Sequence, residues 1–80
     1  MITKERLEGH LRKVGYTKKD TKMTEWYGLD RWQYKDLDMY CHVWEDKCVF
    51  FDDQGLGNDL FVVYSEWEID EDFGHLRKVK

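Results

Sequence analysis

The chain has 80 residues, enough for one small domain, and 38% of them are charged, against roughly 25% in an average globular protein. Its net charge is −4, and its 16% aromatic content argues against a disordered chain. The longest purely apolar run, Leu60–Tyr64, is far shorter than the ~20 residues that span a bilayer. Residues 1–6 include acid and lack the apolar stretch of a signal peptide. We therefore expect a single cytoplasmic domain over residues 1–80, with no membrane partner.

The first predicted element is a helix over Thr3–Val14. Thr3 is a suitable N-cap, and Leu7, Leu11 and Val14 recur at helical spacing to give one narrow apolar stripe. Gly15 follows the last periodic residue, where a positive φ suits glycine. The stripe is too narrow to be stable alone, so the helix should pack on a sheet.

From residue 23 the period falls toward two, and β-branched and aromatic residues dominate, which indicates strands. Residues 16–22 are predicted to be a polar connector, and residues 70–80 a charged tail with a last turn or short strand. The strands are predicted, in order, at Met23–Gly28, Arg31–Lys35, Leu37–Trp44, Lys47–Phe51 and Leu60–Ile69, with a loop at Asp52–Asp59. This order predicts an α+β fold in which the N-terminal helix packs on an antiparallel meander of about four to five short strands.

The two cysteines are predicted to lie in one hairpin. If residues 45–46 form its turn, Cys41 lies opposite Phe50 and Val43 lies opposite Cys48. The two sulfur atoms are then diagonal on one face, which disfavours a disulfide. We interpret both cysteines as small buried hydrophobic residues.

The chain shows few signs of metal or catalytic chemistry. Zinc needs closely spaced N and S ligands, but the adjacent Cys41 and His42 point to opposite faces of a strand. The remaining potential ligands are His10, His75 and Cys48. The single serine, Ser65, lacks a nucleophile-elbow motif. We therefore predict no metal, no cofactor and no enzymatic activity.

Charge is distributed unevenly along the chain. Residues 1–22 carry seven basic and three acidic side chains (net +4), residues 23–73 three and fourteen (net −11), and residues 74–80 three and none (net +3). The acid is concentrated at Asp52, Asp53, Asp59, Glu66, Glu68, Asp70, Glu71 and Asp72. One interpretation is a solvated surface, partly neutralised by the basic ends within the fold. The other is an acidic face for a basic protein partner, such as a nucleic-acid-binding protein. Carboxylates can occupy the groove in which such a protein binds phosphates.

Aromatic residues exceed what one side of such a sheet needs. Tyr40 and Trp44 fall on the second face of the predicted hairpin, and Tyr64 lies on the fifth strand. Exposed Tyr and Trp beside charged residues are typical of interface hot spots. These three residues are therefore predicted to contact a partner.

The favoured hypothesis is a small non-enzymatic protein-binding module, an inhibitor or adaptor that uses an acidic, aromatic-rich surface. Its size and charge have the general character of phage or mobile-element accessory proteins. The alternative is nucleic-acid binding through a basic N-terminal helix and C-terminal tail. That patch would comprise Arg6, His10, Lys13, Lys18, Lys19, Arg77 and Lys78. A third hypothesis is a homodimer in which basic ends meet the acidic middle of a second copy.

A six-residue segment occurs twice, as Gly9–Val14 and again as Gly74–Val79. We interpret it as coincidence or local duplication, since the flanking residues differ. The alternative is a pair of equivalent basic patches.

Overall fold

The computed structural model describes residues 2–53 and 59–79. It shows a five-stranded sheet with the N-terminal helix packed on one of its faces. The elements are α1 (Lys4–Val14), β1 (Tyr16–Lys19), α2 (Met23–Tyr27), β2 (Asp30–Tyr34), β3 (Met39–Val43), β4 (Lys47–Asp52), β5 (Leu60–Val63), a 3-10 turn (Tyr64–Glu66), β6 (Trp67–Asp70) and β7 (His75–Lys78). The predicted α+β class is confirmed: α1 packs on an antiparallel meander, and β6 and β7 form a small second sheet. No helix in the described ranges is long and apolar enough to cross a membrane.

Helix α1 begins and ends where the sequence predicts. The Thr3 hydroxyl accepts a hydrogen bond from the backbone N–H of Arg6 at 3.2 Å, which caps the first turn. Gly15 ends the helix in the left-handed region, with φ of 117°. Leu7 and Leu11 are fully buried, so the apolar stripe forms the helix side of the core.

The five strands lie in sequence order, β1 to β5, each antiparallel to its neighbours. Cys41 pairs with Phe50 and Val43 with Cys48, as the two-residue turn predicts. Both cysteines are free and fully buried. Together with Trp32 they form the sheet side of the core. One face of the sheet, the covered face, therefore carries the core.

The β6–β7 hairpin joins α1 over the same covered face. Ile69 is 8% exposed and belongs to the core cluster, and Trp67 and Leu76 pack against that cluster. The hairpin turn is held by Asp70, whose carboxylate accepts the backbone N–H groups of Asp72 and Phe73. The predicted charged tail thus contains the short strand that the sequence allowed for.

Two predictions around residues 16–28 were wrong. The predicted connector contains an edge strand, β1, in which Tyr16 packs its ring 5.1 Å from that of Tyr34. The predicted first strand is instead the short helix α2. It closes at Gly28, whose φ is 67° and whose N–H donates to the carbonyl of Thr24. The Thr24 hydroxyl also donates to buried Asp30 at 2.7 Å, which ties α2 to β2.

The long predicted fifth strand was also wrong, because it is interrupted at the 3-10 turn Tyr64–Glu66. The Tyr64 N–H donates to the carbonyl of Asp46, and its hydroxyl donates to the carbonyl of Trp44. These bonds redirect the chain from the first sheet into the second. Most of the predicted loop Asp52–Asp59 lies outside the described residues.

Candidate binding surface

The sheet face opposite the core is the candidate functional site. We call it the open face, because none of its described side chains is buried. Its register positions are Thr17, Lys19, Arg31, Gln33, Tyr40, His42, Lys47, Val49, Phe51, Phe61 and Val63, with Trp44 at the β3–β4 turn. Strand alternation places these side chains opposite the core. Neither α1 nor the C-terminal hairpin covers this face, because both pack on the other one.

Aromatic rings run across the centre of the open face. The rings of Tyr40 and Phe51 lie 5.8 Å apart and 28° from parallel. The His42 ring meets Phe51 edge-on at 4.6 Å and Trp44 at 6.3 Å. Phe61, on the edge strand β5, is 53% exposed. The contacts among Tyr40, Phe51, His42 and Trp44 hold these four rings in place.

Cationic side chains lie over these rings. The Arg31 guanidinium carbon is 3.8 Å from the Tyr40 ring centroid, and the Lys47 ammonium is 5.3 Å from that of Trp44 and 5.8 Å from that of Phe61. Such cation–π contacts keep the charged group at the surface while its alkyl stem covers the ring. The open face is therefore both aromatic and basic.

Acidic groups reach the open face only at its border, as far as the described residues show. None of its register positions is acidic, whereas Lys19, Arg31 and Lys47 are basic. Asp53 lies at the end of β4, with its Oδ2 3.4 Å from Nη2 of Arg31. The face is thus locally positive on a chain whose net charge is −4.

His42 contributes a neutral ring to this surface. Burial, followed by the nearby Arg31 charge, lowers the pKa of His42 from its usual value of 6.5. Its Nε2 has no hydrogen-bond partner among the described residues. The lowered pKa favours the uncharged imidazole, which lies among the other rings of the aromatic row.

Helix α2 borders the open face through Met23, whose sulfur lies 4.0 Å from Nη1 of Arg31. The next turn of α2 presents Trp26 and Tyr27, which are 67% and 65% exposed. These two rings are in edge-to-face contact with centroids 6.4 Å apart. The exposed aromatic area therefore continues beyond the sheet.

The structure separates the three aromatic residues predicted to contact a partner. Tyr40 and Trp44 lie on the open face, as the register of the hairpin implies. Tyr64 is only 4% exposed and lies in the core, where burial strongly raises its pKa. Tyr64 therefore does not belong to the candidate surface.

The acidic residues that the sequence singles out fall into two groups. Asp52, Asp53 and Asp59 flank the segment 54–58, at the end of β4 and the start of β5. The others belong to the 3-10 turn and the C-terminal hairpin, on the covered side, at Glu66, Glu68, Asp70, Glu71 and Asp72. Glu68 is ion-paired with Arg77, and Glu71 lies 3.5 Å from Arg6. The basic ends thus neutralise part of the acidic middle within the fold.

The predicted basic patch is likewise divided. Arg6, His10 and Lys13 line a cavity of about 250 Å³ between α1 and the hairpin, together with Glu71. Burial, and then the Lys13 charge, lower the pKa of His10. Arg77 and Lys78 lie on β7 nearby.

The other two residues of the predicted basic patch lie on β1. Lys18 Nζ is 3.5 Å from the buried Asp30, so its charge is engaged within the fold. Lys19 belongs to the open face. The patch predicted from the sequence is therefore split between different surfaces.

The two cysteines lie in the core, away from solvent. Cys41 and Cys48 are fully buried, and burial strongly raises the pKa of the Cys41 thiol. Within residues 2–53 and 59–79, no group of three or more His, Cys, Asp or Glu side chains could hold a metal ion.

Comparison of the chain with protein-family models, curated proteins and solved structures finds no match.

The sequence did not predict that Arg31, Lys47 and Phe61 belong to the candidate surface. Alternation within β2, β4 and β5 could have placed each on a face. Bringing those faces together required the pairing of β2 and β5 with the central hairpin.

Proposed function

We propose that this chain is a non-enzymatic binding module whose contact surface is the open face. The observation that carries the proposal is the contrast between the two sides of the sheet. Helix and hairpin cover one side, whereas the other leaves rings such as Tyr40, Trp44 and Phe61 in contact with solvent. Contiguous exposed aromatic and apolar surface in a small domain is typical of an interaction site.

The geometry supports the open face better than the acidic surface expected from composition. Glu68, Glu71 and Asp53 each lie beside an arginine of the same chain, so a basic partner would have to compete with internal ion pairs. Contact with the aromatic rings of the open face does not itself break an ion pair, and the Asp53–Arg31 pair lies at the border of that face. Such a module would act as an adaptor or inhibitor through this face.

A paired-variant capture experiment tests the proposal. The bait proteins are the wild type, Phe61→Ala on the open face, and Phe73→Ala at the hairpin turn. Phe73 is 79% exposed and lies on the covered side, so its variant controls for loss of one exposed ring. We expect a bound macromolecule that Phe61→Ala loses and Phe73→Ala retains. Equal retention by all three proteins, or no retained macromolecule, would contradict the proposal.

A further inference from the structure

We infer that the occupant of the open face is a single-stranded nucleic acid, whose bases stack on the rings while its phosphates meet the surrounding cations. This inference rests on the proposed function and names the partner class for the same surface. It differs from the basic helix-and-tail patch that the sequence suggests, because it places the contact on the sheet.

Charge complementarity is the first argument. Lys19 on β1 and Arg31 on β2 place cations on one side of the aromatic rings, and Lys47 on β4 lies among the rings, near Trp44 and Phe61. In a chain of net charge −4, the described strand positions of this face carry three cations and no acid, and the carboxylate of Asp53 lies beside Arg31 at its border. Such a face attracts a polyanion and disfavours a basic protein.

The arrangement of rings is the second argument. Tyr40 and Phe51 are adjacent across β3 and β4, and Phe61 follows on β5 opposite Val49. Neighbouring strands are about 4.8 Å apart, so aromatic residues on successive strands give a platform across which a chain of bases can run. Base–aromatic stacking tolerates any sequence, since every base has a π-face.

The shape of the face favours an unpaired strand over a duplex. The face is a sheet bordered by the short helix α2, and its strands present rings rather than an element that projects into a groove. A duplex keeps its base faces within its own stack, whereas single strands expose them. The rings would therefore contribute to binding only if the bases are unpaired.

The cavity lined by Arg6, His10 and Lys13 is a weaker candidate for the same ligand. Glu71 lines that cavity and lies 3.5 Å from Arg6. Its carboxylate would repel a phosphate. The cavity also lacks a Phe, Tyr or Trp ring among its lining residues.

A direct titration tests the inference with the purified 80-residue chain. The probe is a fluorescently labelled oligothymidylate of about 16 nucleotides, a length within the site sizes of single-strand-binding domains. Anisotropy is measured from about 50 to about 200 mM salt, with a duplex of equal length as competitor. Two open-face variants, Phe61→Ala and Lys47→Gln, are matched with two covered-side variants, Phe73→Ala and Lys78→Gln. Circular dichroism confirms that each variant is folded.

We expect salt-sensitive binding to the single strand and weaker binding to the duplex. Phe61→Ala should weaken affinity about tenfold through loss of one stacked base. Lys47→Gln should weaken it several-fold and lower the slope of log affinity against log salt by about 0.7, the value for one phosphate contact to a single strand. The two control variants should stay within about twofold of the wild type.

Three results would overturn the inference. They are a dissociation constant weaker than about 0.1 mM at low salt, equal affinity for the duplex, and loss of binding with Lys78→Gln but not with Lys47→Gln. The proposed function has a separate outcome. If the oligonucleotide fails to bind while a nuclease-resistant protein is captured by the wild type and lost with Phe61→Ala, the open face is a binding surface for a protein.

Discussion

At the scale of single residues, the buried carboxylate of Asp30 is a polar group whose hydrogen bonds and ion pairs contribute to the stability of the fold. Asp30 is 5% exposed and accepts the Thr24 hydroxyl. Its Oδ2 lies 3.2 Å from Lys4 Nζ and 3.5 Å from Lys18 Nζ, so it joins α1, α2 and β1 to the start of β2. Burial raises the pKa of Asp30, but the hydrogen bonds from Thr24 and Lys4 and the nearby Lys charges outweigh it and hold the pKa below 3.8.

Replacement of this carboxylate should destabilise the fold in a pH-dependent way. We expect Asp30→Asn to lower the free energy of unfolding by about 2 kcal/mol at neutral pH, because charge-assisted hydrogen bonds are lost. Since the folded-state pKa is depressed, the contribution is fully present above the unfolded value of 3.8 and disappears as pH falls through the folded value. Urea denaturation at neutral and acidic pH measures the difference between variant and wild type.

Glu45 provides the matched control, because it also binds Lys4, at 3.1 Å, but is 84% exposed. Glu45→Gln should change stability by less than about 0.5 kcal/mol, as exposed ion pairs usually do. If Glu45→Gln lowered the free energy of unfolding as much as Asp30→Asn does, burial of the Asp30 carboxylate would not explain its contribution. A deficit of Asp30→Asn that persists undiminished in acid would show that its charge is not responsible.

At the scale of elements, Gly9 within α1 and Gly15 at its C-cap differ in whether the backbone conformation requires glycine. A Cβ at Gly9 would meet no atom within 4 Å, whereas one at Gly15 would lie 3.2 Å from Cε1 of Tyr34. Gly15 also has φ of 117°, a conformation that side chains disfavour. We expect Gly9→Ala to stabilise the protein by about 0.5–1 kcal/mol and Gly15→Ala to destabilise it by at least about 1 kcal/mol. Thermal and urea denaturation of both variants measure the two effects, and shifts of the same sign would contradict this account of the helix end.

Some of the secondary-structure elements could be predicted from sequence patterns and others could not. Helix α1 was predictable from its N-cap and apolar stripe, and the β3–β4 hairpin from its two-residue turn, because these are local features of the sequence. The assignments of β1 and α2 failed because Tyr16 is stabilised by Tyr34, and Thr24 by Asp30, contacts that local propensity does not contain. The repeated hexapeptide makes the point directly, since Gly9–Val14 is helical while most of Gly74–Val79 is strand. Identical residues adopt the structure that their surroundings stabilise.

The candidate site was predictable to a similar extent. Tyr40 and Trp44 could be assigned to one face from the hairpin turn alone. Tyr64 could not be excluded, because its burial depends on the 3-10 turn that breaks the predicted fifth strand. The local positive charge was hidden because Arg31 and Lys47 lie in a segment of net charge −11 and Lys19 lies outside it. Only the pairing of strands β1 to β4 brings the three cations onto one face.

At the scale of the whole molecule, the β6–β7 hairpin is attached to the core by fewer buried side chains than the main sheet and α1 are. The five-stranded sheet and α1 share the fully buried side chains, among them Trp32, Leu7 and Leu11. The β6–β7 hairpin forms a separate sheet that joins the core mainly through Ile69, with Trp67 and Leu76 at the margin. Elements with few buried apolar contacts open at lower free energy than the core. The hairpin should therefore open without unfolding of the main sheet.

Native-state hydrogen exchange tests this hierarchy. We expect amides of β3 around Cys41 to exchange only through global unfolding, and the paired amides of β6 and β7 to exchange through an opening of smaller free energy. Ile69→Ala should lower the hairpin opening free energy by about 2 kcal/mol, because it removes the buried anchor. Protection in β3 should fall less. If both regions lost protection equally, the hairpin and the sheet would be one cooperative unit. Because the hairpin packs on the covered face, its opening leaves the rings of Tyr40 and Phe51 in register. Ile69→Ala should therefore leave the structure of the open face unchanged while lowering the stability of the opposite side of the molecule.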